Sequence, residues 1–158
     1  MSLTREQIVS GFNGLKAQDF DLNDMNSRGP DLLVQLTDGL MASSDPQLFI
    51  PELFRTMERL ADSDLGSPGP LVHTLESLGN YEEELVRSVR RHPTYLSVWM
   101  VNRTLNGMLY GKMPTTSRDL YLSLLQESTG HPLANQKTRE DALCFLQRFA
   151  KLTEQDQS

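Results

Sequence analysis

Several things are scarce in this 158-residue chain. It has one cysteine, Cys144, so it can form no internal disulfide, and that favours a reducing compartment. No run of 18 or more apolar residues occurs, which excludes a helix that spans a membrane. No basic segment followed by an apolar core opens the chain, so no secretory signal is expected and the expected location is cytoplasmic. An excess of positive charge is also missing. Fifteen Lys and Arg stand against 21 Asp and Glu, a formal net charge of −6, which argues against nucleic acid as a partner. Residues 1–152 read as a single domain, because a chain of this size buries roughly 68–70% of its unfolded surface and needs no covalent staples.

The net charge hides an asymmetry. Residues 1–84 hold 15 acids and 5 bases, a net −10, whereas residues 85–158 hold 6 acids and 10 bases, a net +4. The acids cluster at Asp19, Asp21 and Asp24, at Asp62 and Asp64, and at Glu82, Glu83 and Glu84, and the bases cluster at Arg87, Arg90 and Arg91. Such a division directs attention to a charged partner. The plainer reading is a solvated helical surface whose two halves attract each other.

Helical periodicity runs through most of the chain. Thr4 and Gln7 have the form of a capping box ahead of Ile8, Val9, Phe12 and Leu15, which predicts a helix over about 5–17. Residues 18–29 read as a loop. Pro30 suits the first turn of a helix to about 42, and Ser43, Ser44 and Asp45 are placed to cap the next, which Pro51 restarts or kinks. DSDLGSPGP at 62–70 is the clearest loop, and Pro70 opens a short helix that ends at Gly79. A helix from Tyr81 carries acids at its start and arginines at its end, the order that complements the helix dipole. Thr94 caps a helix of about 95–110, Ser117 another, and a last helix covers about 136–152 ahead of a frayed polar tail, 153–158. No segment shows sustained period-2 alternation with hairpin turns. The expected fold is therefore all-α, with about seven or eight helices in antiparallel pairs forming a short HEAT-like array, or alternatively a closed helical bundle.

Catalytic motifs are absent. His73 and Glu76 lie three apart, but the second histidine of a zinc-protease helix is missing. His92 and His131 each precede a proline and have no supporting carboxylate spacing, so no metal is expected. GSPG at 66–69 lacks the Lys-Ser/Thr of a phosphate-binding loop and reads as a rigid turn. Cys144, between Leu143 and Phe145 on an amphipathic helix, is expected to be a buried or half-buried thiol. No cofactor is implied.

One set of residues resists so plain a reading. Asn102 shares a helical face with Val98, Trp99 and Leu105, Asn106 borders it, and Arg103 lies beside it. A buried polar group without a partner costs about 1–3 kcal/mol, so these side chains need partners, and His73, Glu76 and the 66–69 carbonyls are the natural ones. The expectation is a structural polar clamp of His73, Glu76, Asn102, Arg103 and Asn106. The competing readings are a partner-binding role and an enzyme site in which Glu76 acts as base.

LGSPGPLVHTLES at 65–77, followed by YEEELVRSVRRHPTYLSVWMVNRTLN at 81–106, resembles a group of small bacterial immunity proteins. These are the HEAT-like helical inhibitors encoded beside polymorphic or contact-dependent toxins. The shared pattern is a Gly-x-x-Gly-Pro-Leu-Val-His start, a Tyr-x-x-x-Leu helix and a Trp-Met-x-Asn-Arg-x-x-Asn helix. Weaker similarity runs to about residue 150, and none is found in residues 1–45. The resemblance implies a cytoplasmic, non-enzymatic inhibitor with a cognate toxin domain as partner. A toxin that attacks nucleic acid must bind phosphate and is expected to be basic, and an acidic inhibitor would complement it. Asp62, Asp64, Glu82, Glu83 and Glu84 are the expected partner-binding residues. The alternative is a helical-repeat adaptor or scaffold in a bacterial complex.

Overall fold

The computed structural model describes residues 2–112, 114 and 117–155. Among them are eight α-helices and no strand: α1 Arg5–Gly14, α2 Gly29–Met41, α3 Ile50–Arg59, α4 Gly69–Leu78, α5 Glu82–Arg91, α6 Tyr95–Leu109, α7 Arg118–Ser128 and α8 Gln136–Gln155. The all-α class is as expected. No helix of the described residues is long and apolar enough to cross a membrane. The chain divides into two compact units, Met1–Glu84 and Leu85–Ser158.

In the first unit α1 packs on α2 and α3 on α4, while α1 also packs on α3 and α2 on α4. Each of the four helices thus packs on two others. Ile8, Phe12, Leu33, Leu40, Leu53, Phe54, Met57, Leu71 and Leu75 form its core, each at most 1% exposed. Gly11 of α1 faces Leu36 of α2, and a Cβ there would lie 2.3 Å from Leu36 Cδ2, so the Leu36 side chain would have to move. The end of α1 is held from α3. The Arg59 guanidinium donates to the carbonyls of Leu15 at 2.6 Å and Phe12 at 2.5 Å, supplying a cation at a helix C-terminus.

In the second unit α6, α7 and α8 each pack against the other two, a closed three-helix arrangement. α6 buries nine of its fifteen residues, among them Leu96, Met100, Val101 and Met108, so its burial extends beyond the one face of Val98, Trp99 and Leu105. A helix apolar on most sides belongs in a core. The C-terminal end of α5 joins this unit through Arg90, whose side chain lies 3.7 Å from Glu127 and whose carbonyl lies 2.9 Å from His131 Nε2.

Local chemistry explains the helix ends. The Thr4–Gln7 capping box forms, with Gln7 N–H donating to Thr4 Oγ1 at 3.1 Å and Thr4 N–H to Gln7 Oε1 at 2.9 Å. Thr94 caps α6 with Ser97 as its reciprocal partner, at 3.1 and 3.0 Å. Asp45 and Ser117 stand at N-cap positions but make no side-chain cap bond. α1 ends at Gly14 rather than 17, and a 3-10 turn, Ala17–Phe20, occupies the start of the expected loop. α8 continues through 153–155, residues expected to fray, and 156–158 lie outside the described residues.

Candidate interaction surface

The acids expected to meet a partner all belong to the first unit. Asp62, Asp64, Glu82 and Glu83 are exposed and Glu84 is half-buried. Glu82, Glu83 and Glu84 make up the first turn of α5, where the helix dipole already favours negative charge. Asp64 Oδ1 accepts the Gly66 N–H at 3.0 Å and starts the turn that leads into α4. Gly66 has φ 102°, and a Cβ there would stand 2.5 Å from Gly69 Cα, so the 66–69 turn doubles back on itself as only glycine allows. α4 then begins at Gly69, with Pro70 in its first turn. This is the rigid entry expected of GSPG.

The clamp residues fall in both units, His73 and Glu76 in the first and Asn102, Arg103 and Asn106 in the second. Asn102 is buried and Glu76 and Asn106 are half-buried, but His73 and Arg103 are exposed, so the set is not uniformly buried as expected. Arg103 lies over the Trp99 ring, 5.3 Å from its centroid, keeping its stem on apolar surface and its charge in water. Cys144 is exposed, which corrects the expected burial: α8 turns the flank carrying Leu143 and Cys144 outward and buries Ala142 and Phe149 instead.

Among the described residues no group of three or more His, Cys, Asp and Glu is placed to hold a metal ion. His131 has structural work at both ring nitrogens. Nδ1 accepts the Leu133 N–H at 3.1 Å, which fixes Nε2 as the protonated nitrogen that donates to the Arg90 carbonyl.

The sequence reading missed an apolar groove in the first unit. It has a volume of about 270 Å³, and its walls include Phe20, Leu22, Pro30, Leu33, Leu65 and Pro70. Val34 and Asp64 stand at the same groove. Phe20 and Leu33 are buried, whereas Leu22 is 81% exposed and Val34 45%. One wall is built where residues 19–20 fold over the start of α2: Ser27 Oγ donates to the Asp19 carbonyl, and a Cβ on Gly29 would lie 2.5 Å from the same oxygen. The available signal was Phe20, Leu22 and Met25, apolar residues set among aspartates with no helical stripe to join. A second groove, of about 600 Å³, lies between α7 and α8 with Leu122, Leu146 and Phe149 in its lining.

Comparison with family models, curated proteins and solved structures finds no match to this chain.

Proposed function

We propose that this chain is a non-enzymatic immunity protein that binds a cognate bacterial toxin domain in the cytoplasm and neutralises it. The resemblance of residues 65–106 supplies the class. The observation that carries the mode of action is the division of charge at a structural boundary. The −10 of residues 1–84 belongs to one compact unit and the +4 of residues 85–158 to the other. A unit this acidic attracts a basic surface over roughly a Debye length, about 8 Å at physiological salt, and speeds encounter. A nuclease-type toxin domain presents such a surface, because it must bind phosphate. Covering that surface denies it to nucleic acid without any chemistry in the inhibitor.

Co-expression with the product of the adjacent gene tests the reading. Rescue of growth together with co-purification of a complex is the expected result, and failure of both sinks it. Within a complex, reversing charge at Glu82, Glu83 and Glu84 should weaken binding about tenfold or more and flatten its salt dependence. Those acids also stabilise the start of α5 by roughly 0.3–1 kcal/mol each. Glu→Gln variants lose that contribution as well, so measuring affinity under conditions where circular dichroism shows each variant fully folded separates lost attraction from lost helix. Unchanged affinity and salt slope would place the contact face elsewhere.

A further inference from the structure

We propose that the groove walled by Phe20, Leu22, Pro30, Leu33, Leu65 and Pro70 is an anchor pocket that receives an apolar side chain of a basic protein partner. The inference depends on the proposed function only in taking the partner to be a protein, and it moves the centre of the contact from the start of α5 to this groove.

The lining decides the class of occupant. At about 270 Å³ the groove is small beside typical small-molecule sites of roughly 300 to 1,000 Å³, with room for one or two side chains. Its lining carries little polar chemistry with which to orient a small ligand, Asp64 being the charged residue in it. Interface energy, in contrast, concentrates where a few apolar anchors fill pockets and surrounding residues exclude water. The backbone is closely packed at two points of the groove, where Gly29 sits beneath the Asp19 carbonyl and Gly66 is folded against Gly69, which reduces the ordering left to be done on binding.

The exposed side chains extend the same patch. Leu22 and Val34 stand out from the groove at 81% and 45% exposure. Apolar surface gathered in this way and bordered by polar residues marks a contact site. Acid stands at the groove and next to it in the chain: Asp64 is in its lining, Asp21 directly precedes the lining residue Leu22 in sequence, and Asp31 directly follows the lining residue Pro30, with all three exposed. Arg28 is the sole Lys or Arg from residue 17 to residue 54. An apolar centre with an anionic rim complements an apolar side chain flanked by Lys or Arg.

The test is an NMR titration of the isotope-labelled full chain with two synthetic peptides, one of alternating Lys and Leu and one of alternating Lys and Ser. The expected result is amide shifts concentrated at residues 20–34 and 64–70 with the Lys/Leu peptide. Binding should be about tenfold weaker with Lys/Ser, and about tenfold weaker for Leu22→Ser with Lys/Leu. Leu22 is exposed, so Leu22→Ser keeps the fold, which the spectrum of the free variant verifies. Equal binding of both peptides, shifts spread over all acidic surfaces, or no binding would each overturn the pocket. Self-association that Leu22→Ser abolishes would overturn it in favour of a second copy as occupant. The toxin domain provides a separate arm. A toxin complex indifferent to Leu22→Ser and Val34→Ser overturns the pocket and leaves the immunity reading standing. Peptide capture in the groove without any toxin complex does the reverse.

Discussion

Arg59 is one of only five bases in the first 84 residues, and its place in the fold makes a quantitative prediction. Its two terminal nitrogens hold the carbonyls of Leu15 and Phe12 at 2.6 and 2.5 Å, linking the last turn of α3 to the end of α1. Replacing it with Met keeps most of the stem and removes the fork. The two bonds are not equivalent. The Phe12 carbonyl also accepts the Leu15 N–H at 3.2 Å, so it keeps a partner, and its loss is small. The Leu15 carbonyl loses a charge-assisted bond worth about 1.5–3 kcal/mol. The missing cation at the helix C-terminus adds about 0.5 kcal/mol. Because Arg59 is itself exposed, the lower end of that range applies, and the expected loss is about 2 kcal/mol. For a chain of this size that lowers the unfolding midpoint by roughly 4–8 °C. Thermal and urea unfolding followed by circular dichroism measure it. Arg59→Lys should recover only part, because one ammonium cannot match the planar fork. A loss below about 0.5 kcal/mol in Arg59→Met, or full recovery in Arg59→Lys, would refute the assignment of two directed bonds.

Two further outcomes follow from local geometry. Thr94→Ala removes a cap that is 1% exposed and leaves Ser97 Oγ, also buried, with one partner fewer, so it should cost about 2 kcal/mol in urea unfolding, while Thr94→Ser stays close to wild type. Cys144 is exposed, so a thiol reagent should label it completely in the folded protein at a rate within a few-fold of that in denaturant; protection in the native state would contradict its placement on α8.

Helix type and number were legible because this chain marks its helix starts locally. Thr4, Pro30, Pro51, Pro70 and Thr94 each act within one turn of sequence, and each stands where that chemistry demands. Less legible were features whose cause lies far along the chain. The 3-10 turn Ala17–Phe20 sits in a stretch that composition assigns to a loop, and its closure over α2 depends on Gly29 and Ser27. The groove needs Phe20, Leu33 and Leu65 together, and no periodicity links residues so far apart. The outward turn of Cys144 has the same origin. Leu143 and Phe145 beside it are apolar, yet Leu143 is 49% exposed, because packing against α6 and α7 selects the flank of α8 that carries Ala142 and Phe149. Arg103 was drawn into a buried cluster by its neighbours in sequence, whereas its long stem carries the charge out over Trp99.

The acidity of the first unit has two components, and they can be separated. Part is local: Asp19 Oδ2 accepts the Lys16 N–H at 2.7 Å, Asp21 Oδ1 the Asn23 N–H at 2.9 Å, Asp24 Oδ1 the Asn26 N–H at 2.9 Å, and Asp64 Oδ1 the Gly66 N–H. Each of these bonds uses one oxygen, and the amide oxygen of Asn would serve the same turns equally well. The fold therefore calls for a short acceptor at these positions, not for a charge. The charge is surplus to the turn, and under the proposed binding to a basic partner it would attract that surface. The combined variant Asp21→Asn, Asp24→Asn, Asp64→Asn should keep its unfolding free energy within about 0.5 kcal/mol of wild type. The same variant should slow association with a basic partner while leaving dissociation nearly unchanged, because long-range charge acts on encounter and the filled apolar pocket on residence. Stopped-flow mixing with the partner domain at two salt concentrations separates the two rates. A destabilised variant would show that the charges serve the turns themselves, and an unchanged on-rate would show that the acidic rim faces no partner.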